Sequence, residues 1–483
     1  MRSAASVFVH EGRVLLADRT LWIVALLFVG LVGYGLYNGA VETDARAAAI
    51  EAIRSADDAA EAARHVEFEN IMAGTKLPDP FANPTDPSSM GGGYGARNAI
   101  MPNLRMAPLA FGQADLLPSY YRVSNGSRIG FIYDTEIENP WSLLSGHFDL
   151  AFVVTYLVPL LIFALSYNFL SGDREQGTLR MLLAQPVGLA GVVAGKLGVR
   201  LAVVLACAVL LPCVALLVAR PELRSAAELA ALGTWAALVS AYVLFWFALV
   251  LAVNAFGRSS AANALTLIGC WVVLVLVAPV VMNLAVSLAS PTPSRTELAT
   301  RTRVVTAEAL ERYSDLFGTD YEYTADPALL VPRDGKIEVA PRLRAFYLED
   351  RDVDRDLDVL LEQFETRLAG QQALVGRYGF LSPAVSVYEG ITALAGTGLR
   401  RHQHFQKLIK DFHREWKAFF EPKILGGLAI SESDLARFPR FEWQEIDAHE
   451  ARSEVASRLL QVAVPALLLI ALGAWRLRRY SVV

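Results

Sequence analysis

Apolar residues run in six long blocks that carry almost no charge, at about 20–37, 148–170, 190–219, 227–253, 261–289 and 456–475. A helix needs roughly 20 mostly apolar residues to cross the hydrocarbon core of a bilayer, so the pattern predicts six membrane-spanning helices. Pro159, Pro212, Pro279 and Pro465 fall inside these blocks, where a proline is tolerated if neighbouring helices satisfy the carbonyls it releases. Asn283, four residues after Pro279, is a candidate for one such carbonyl.

The polar remainder divides into an N-terminal segment (1–19), a first long segment (38–147), a short segment (171–189), a second long segment (290–455) and a tail (476–483). With six spans, the two long segments share one side of the membrane and both termini share the other. The Ala/Glu/Arg-rich stretch 42–70 favours a helix continuing from the first span. Pro78, Pro80, Pro84, Pro87 and Gly91–Gly93 then predict an irregular loop, and 127–140 reads as a short strand. The second long segment reads as helical near 294–317, 341–375 and 400–420, with Gly/Pro-bearing separators at 326–335 and 376–398. The expected fold class is thus an α-helical polytopic membrane protein with two mostly helical (α or α+β) extracytoplasmic domains.

Composition agrees with this pattern: 54% of the 483 residues are hydrophobic and 19% are charged, too apolar for a soluble chain of this length. Cys207, Cys213 and Cys270 all lie in apolar blocks, so no disulfide framework exists. Charged Glu11, Arg13, Asp18 and Arg19 precede the first apolar block and no small-residue cleavage site follows it, so Leu21 to Tyr37 is expected to remain as an anchor. On the terminal side the short segments hold Arg2, Arg13, Arg19, Arg174, Arg180, Lys196, Arg200, Arg258, Arg476, Arg478 and Arg479, against Arg220 and Arg224 opposite. The positive-inside rule then puts both termini in the cytoplasm of a multi-pass inner (plasma) membrane protein. Arg46, Arg54, Arg295, Arg301, Arg303, Arg440, Arg452 and Arg458, near the ends of the long segments, narrow that margin.

Candidate chemistry is concentrated in the short segment and the start of the third block, SGDREQGTLRMLLAQPVGLAGVVAGKLGVR (171–200). Asp173 and Glu175 open a predicted short helix, where carboxylates favour the positive end of the helix dipole. Leu179, Met181, Leu182 and Leu183 give that helix an apolar side, and Pro186 ends it. Lys196 and Arg200, four apart on the next span, are placed to snorkel to the same interface. The pattern Glu175-x-Gly177-Thr178-Leu179, then Leu182-Leu183, Pro186 and Gly195-Lys196, closely resembles the segment after the second span of ABC-2 type transporter permeases. SVFVHEGRVLLADRTLW (6–22) resembles the amphipathic elbow helix of that family. Two long segments after spans one and five are similar to the multi-copper-enzyme maturation permease branch, as, less specifically, is the stretch 382–416.

The resemblance implies that Asp173, Arg174, Glu175, Gly177, Thr178, Leu179, Leu182, Leu183 and Pro186 form a coupling helix that docks on a separate ABC ATPase subunit. It also implies a second permease, identical or related, and a transmembrane subunit used for export or for passing movement across the membrane. An extracytoplasmic (periplasmic) accessory protein is a further expected partner besides membrane lipid, and nothing points to nucleic acid.

No catalytic or cofactor-binding residues are expected in this chain. A phosphate-binding loop needs G-x-x-x-x-G-K-[ST]; Gly191 to Leu197 has one residue too few between its glycines and ends in Leu. ATP and Mg are therefore expected on the partner ATPase. Asp350, Asp352, Asp354, Asp356 and Asp358 alternate with Arg351 and Arg355, but the run lacks the glycine of a calcium loop at position six and has Gln363 where a loop opened by Asp352 needs Glu. It reads as a solvated helical face with local Asp–Arg pairing. His402, His404 and His413, with Asp411 and Glu415 nearby, are the candidate metal ligands, although His402 and His404 point to different helix faces and His402 and His413 stand three turns apart, too far for one ion without a fold-back. Within the spans the polar residues are Asn168, Asn254, Asn263 and Asn283, with Glu228 at a span end. No ionisable group sits near a span centre, where it would cost about 2.5–3.5 kcal/mol and mark an ion path, so a proton- or sodium-coupled carrier is disfavoured. The spans also lack the residue pairs of an intramembrane hydrolase. The competing class is a membrane-anchored assembly or maturation factor whose 290–455 domain binds a partner protein.

Overall fold

The computed structural model describes residues 2–17, 19–112, 117–130, 148–185, 187–291, 295–316 and 321–480. Among the described residues, six helices are long and apolar enough to cross a membrane: Trp22–Met72, Leu150–Glu175, Leu189–Ala219, Ala226–Ala255, Ser260–Ala289 and His449–Leu477, named spans 1 to 6. Span 4 is the centre of the bundle. Trp235, Leu238, Tyr242, Trp246 and Val250 along it are all fully buried, whereas Leu26 and Leu27 of span 1, Leu265 and Val280 of span 5 and Leu467 and Leu468 of span 6 are exposed. An outward apolar face of this kind suits lipid. An elbow helix, Arg2–Ala17, packs on span 3 at the end where both termini lie.

Prolines shape three of the spans in the same way. Five- or six-residue π turns at Val153–Leu157, Ala206–Leu210 and Val272–Val277 sit immediately before Pro159, Pro212 and Pro279. A proline removes the N–H that its preceding turn needs, and a π turn is one way to absorb the misfit. Two of the released carbonyls are taken by hydroxyls from packed neighbours. Tyr242 of span 4 donates to Thr155 O at 2.7 Å, and Ser382 donates to Leu274 O at 2.7 Å. Asn283, expected to serve Pro279, is exposed instead. The deciding factor is reach: Leu274 O faces a packed helix cap from the second long segment, and Asn283 lies on the lipid-facing side.

The two long segments do not form separate domains. Phe68, Met90, Ala99, Tyr121 and Val123 of the first share one core with Tyr347, Phe405, Phe412, Trp416, Phe420 and Phe438 of the second, so both lie on one side of the spans. Span 1 continues into this domain without a break as the 54-residue helix Arg19–Met72. At 1.5 Å per residue it is about 80 Å long, well beyond a hydrocarbon core of roughly 30 Å. A two-stranded antiparallel sheet pairs β1 (Arg97–Ile100) with β2 (Tyr120–Val123). Of the strand expected at 127–140, residues 128–130 are helical instead and 131–140 lie outside the described residues. In the loop expected around Pro78 to Gly93, a short helix, Pro87–Gly91, is capped by Asp86.

The helices Arg295–Arg312, Pro341–Tyr378 and Leu399–Gly426 occupy the three expected helical runs. The separator 376–398, by contrast, contains a helix, Pro383–Ala395. Ala384, Val387, Ile391 and Ala395 on it are buried in the core of the spans, and a Cβ at Gly390 would stand 2.6 Å from the Leu238 side chain of span 4. Glu389 pairs with Arg458 of span 6 at 2.8 Å, and Ser386 bonds Gln461 at 2.9 Å. This helix therefore roots the polar domain in spans 4, 5 and 6. The aspartate run is corrected in part: the local pairs form, Arg351 and Arg355 each lying 3.3 Å from Asp352, but the face is not simply solvated. Asp350 accepts from Ser127 N at 2.9 Å and Asp354 from Ser127 Oγ at 2.7 Å, while buried Asp352 accepts from Arg312 Nη1 at 2.5 Å and from Tyr313 Oη at 2.8 Å. Asp358 accepts from Arg128, so four of the five carboxylates grip neighbouring segments, because the helix is covered on that face.

Candidate coupling site

Two short helices, Ser171–Glu175 closing span 2 and Thr178–Leu183 following it, are separated at Gly177. Gly177 has φ +75°, a left-handed conformation open to glycine and strained for other residues, so the single helix expected here is a helix–hinge–helix. Thr178 Oγ1 donates to Asp173 O at 3.1 Å across the hinge. Leu179 is buried and Leu182 and Leu183 are half-buried, but Met181 is 73% exposed. The apolar side is accordingly split between the bundle and the terminal-side surface. Pro186 lies outside the described residues.

Each charged residue of the first short helix has its own target. Asp173 Oδ2 lies 2.6 Å from Lys196 Nζ of span 3. Lys196 is also 3.9 Å from Glu11 of the elbow helix, and Glu11 pairs with Arg200 at 2.8 Å. Arg200 donates further to Leu165 O at 2.8 Å and to Lys196 O at 2.9 Å. Lys196 and Arg200, expected to snorkel to the interface, are instead mostly buried in this network, because Glu11 and Asp173 meet them inside. Arg174 donates to Gly257 O in the turn between spans 4 and 5.

Glu175 closes the set. Its Oε1 accepts from Ser260 N at 2.7 Å and its Oε2 from Ser260 Oγ at 2.8 Å, and Ser171 Oγ lies 2.9 Å from the same hydroxyl. Ser260 is the first residue of span 5. The carboxylate thus caps an unsatisfied N–H at the positive end of that helix. Within the span 4–span 5 hairpin, Asn263 Nδ2 donates to Asn254 Oδ1 at 3.1 Å. The short helices are therefore fastened directly to span 3 and to the start of span 5, and through Lys196 to the elbow helix. Gln176, Arg180, Met181, Ala184 and Gln185 remain exposed at the surface. Sequence reasoning missed Glu11, Gly257 and Ser260 as parts of this site; the one available signal was a carboxylate, Glu11, within the amphipathic elbow.

The three candidate metal ligands are not brought together. His402 Nε2 lies 3.4 Å from Tyr121 Oη, His404 Nε2 is 2.8 Å from Gln444 O and His413 Nε2 is 2.9 Å from Gly126 O. Burial pushes the His402 and His413 imidazoles down to about 4, which makes them neutral packing residues at ordinary pH. Among the described residues no group of three or more His, Cys, Asp or Glu is placed to hold a metal ion.

Residues 5–480 match the family described as ABC-2 family transporter protein. The chain belongs to the ABC-2 transporter family. Six spans and membership of that family make it a multi-pass membrane protein. It is also similar to the probable ABC transporter permease protein NosY of Stutzerimonas stutzeri, with 36% identity over 143 residues, 28% of this chain and 50% of that protein. The match thus spans about half the length of this ABC-2 member's curated relative.

Proposed function

We propose that this ABC-2 family chain is the transmembrane subunit of an ABC transporter, driven by ATP and Mg bound to a separate ATPase subunit and working beside a second permease. The observation that carries the reading is the capping of span 5 by Glu175, because it joins an exposed surface segment directly to the start of a membrane helix. In this reading the ATPase docks around Met181, with the termini cytoplasmic and the protein in the inner membrane. Closure of the motor displaces the two short helices, and spans 3 and 5 move with them. Transmission of movement to the polar domain, and to an accessory protein bound there, is favoured over simple export. Its support is the unbroken helix Arg19–Met72 and the rooting of Pro383–Ala395 among spans 4, 5 and 6.

The test is purification of the tagged chain from its native membranes. A nucleotide-binding subunit should copurify with the parent chain, and Met181→Asp should abolish its recovery while leaving the permease folded. If the parent chain brings down no such subunit, the proposal fails, and the membrane-anchored assembly factor becomes the better account.

A further inference from the structure

A cleft of ≈ 290 Å³ opens on the polar domain where three parts of the chain meet. Its walls are Arg54, Asp58 and Glu61 on the helix continuing span 1, Arg97 on β1, and Arg440 and Trp443 on the extended segment that leads into span 6. The interior is already braced. Glu61 pairs with Arg97 and with Arg440, each at 2.9 Å, and Asp57 accepts from Asn98 N at 3.2 Å and Asn98 Nδ2 at 2.7 Å. These pairs fix the shape and leave the mouth unpaired. Arg54 and Asp58 are exposed there and make no ion pair within the described residues. Arg97 Nε is buried without a hydrogen-bond partner among the described residues, and Arg440 has guanidinium donors beyond the one spent on Glu61.

A single anion would meet Asp58, and a single cation would meet three arginines, so neither is matched. A ligand with both signs is matched. Arg54 and Asp58 are four residues apart on a helix, a rise of about 6 Å. Alternate side chains of an extended peptide lie about 6.6 Å apart on one face. We propose that the cleft binds an extended peptide segment of a partner protein that carries one acidic and one basic side chain two positions apart. The acidic group sits against Arg54 and the basic one against Asp58, with Trp443 covering their aliphatic stems. Such an occupant touches the continuation of span 1 and the approach to span 6 together, so its binding would respond to relative movement of the first and last spans.

The experiment uses the full chain in nanodiscs and fluorescein-labelled acetylated pentapeptide amides, read by anisotropy at low salt. Gly-Glu-Gly-Lys-Gly or its reverse-order counterpart Gly-Lys-Gly-Glu-Gly should bind saturably, at least tenfold more tightly than Gly-Glu-Gly-Glu-Gly or Gly-Lys-Gly-Lys-Gly. Arg54→Ala should weaken the preferred peptide at least tenfold, and the double exchange Arg54→Asp with Asp58→Arg should transfer preference to the other order. Both positions are exposed, so folding should be unaffected; a thermal melt of each variant checks it. No saturable binding, equal binding of all four peptides, or binding indifferent to Arg54→Ala overturns the assignment. No ATPase takes part in this measurement, so its outcome is independent of the transporter proposal.

Discussion

The two ends of the span bundle are fastened by different chemistry. At the terminal-side end the links are charged: Glu175 on Ser260, Asp173 on Lys196 and Glu11 on Arg200. At the opposite end the helix Pro383–Ala395 is joined chiefly by buried apolar contact, with Gly390 pressed against Leu238. A hydrogen-bonded charged network can exchange one set of partners for another without a change of volume, whereas a packed core resists any change of volume. The difference teaches where movement belongs. The terminal-side end suits a switch between two arrangements, and the opposite end suits a joint that carries a displacement onward without yielding.

The largest expected effect tests the joint. Ile391 is fully buried among the spans, so Ile391→Ala should cost about 2–5 kcal/mol through lost burial and a residual cavity. A thermal melt in detergent reads this, and a loss under about 1 kcal/mol would show that the helix is not held by packing. At the other end, Glu11→Gln leaves Arg200 a mostly buried cation with only carbonyl partners. Removing one member of a buried ion pair costs up to several kcal/mol; about 3 kcal/mol is expected here, and replacing Arg200 by Met in the same chain should restore part of it. If the two ends responded alike to charge removal, the contrast between them would disappear.

Acid separates the polar domain from both ends. His413, packed near Lys417, Arg128 and Asp354, is held neutral by burial with its pKa down at about 4. The unfolded chain protonates this imidazole near 6.5, so its contribution to stability is complete above about pH 6.5 and is lost as pH falls toward 4. Asp86 and Asp350 work in the opposite direction. Burial raises them to about 7 and about 6, so the folded domain takes up their protons before the unfolded chain does, and their penalty shrinks as pH falls. Relative to the parent, His413→Asn should therefore tilt the stability curve toward acid by up to about 1.4 kcal/mol per pH unit between 6.5 and 4. Denaturant titrations at several pH values check the slope, and an unchanged slope would mean that the imidazole is not kept neutral.

Much of the membrane part was legible because a run of about 20 apolar residues has few other uses. The polar domain was not, since Phe68 and Trp416, far apart in the sequence, share one core and no local pattern links them. Pro383–Ala395 was hidden by its Pro, Ser and Gly content, which reads as a loop. Its buried positions, Ala384, Val387, Ile391 and Ala395, nevertheless follow the three-and-four spacing of a helix face. The short segment 171–189 stood out through its motif, but its partners Glu11, Gly257 and Ser260 did not. Hydrogen bonds between residues 85 positions apart, such as Glu175 to Ser260, are set by the packing of spans and leave no mark on either local sequence.

Smaller effects sharpen the contrast at single hydrogen bonds. Ser382→Ala removes both the cap of the Pro383–Ala395 helix and the donor to Leu274 O. The cap and the abandoned carbonyl together should cost about 1–2 kcal/mol in a thermal melt. Ser382→Thr should recover most of it.

Glu175→Gln should cost least in stability and most in coupling. The amide keeps one acceptor for Ser260 N, and the site is exposed, so the loss of stability should be the smallest of these variants. Its NH2 group replaces the second carboxylate oxygen, however, and the charge that caps span 5 is gone. A segment held this weakly should slip when pushed. In the proposed complex with an ATPase subunit, the variant is expected to keep that subunit bound while substrate- or partner-stimulated hydrolysis falls several-fold toward the basal rate. A variant that loses the subunit altogether would make Glu175 part of the docking surface, and one that keeps full stimulation would move the transmitting link to Asp173 and Lys196.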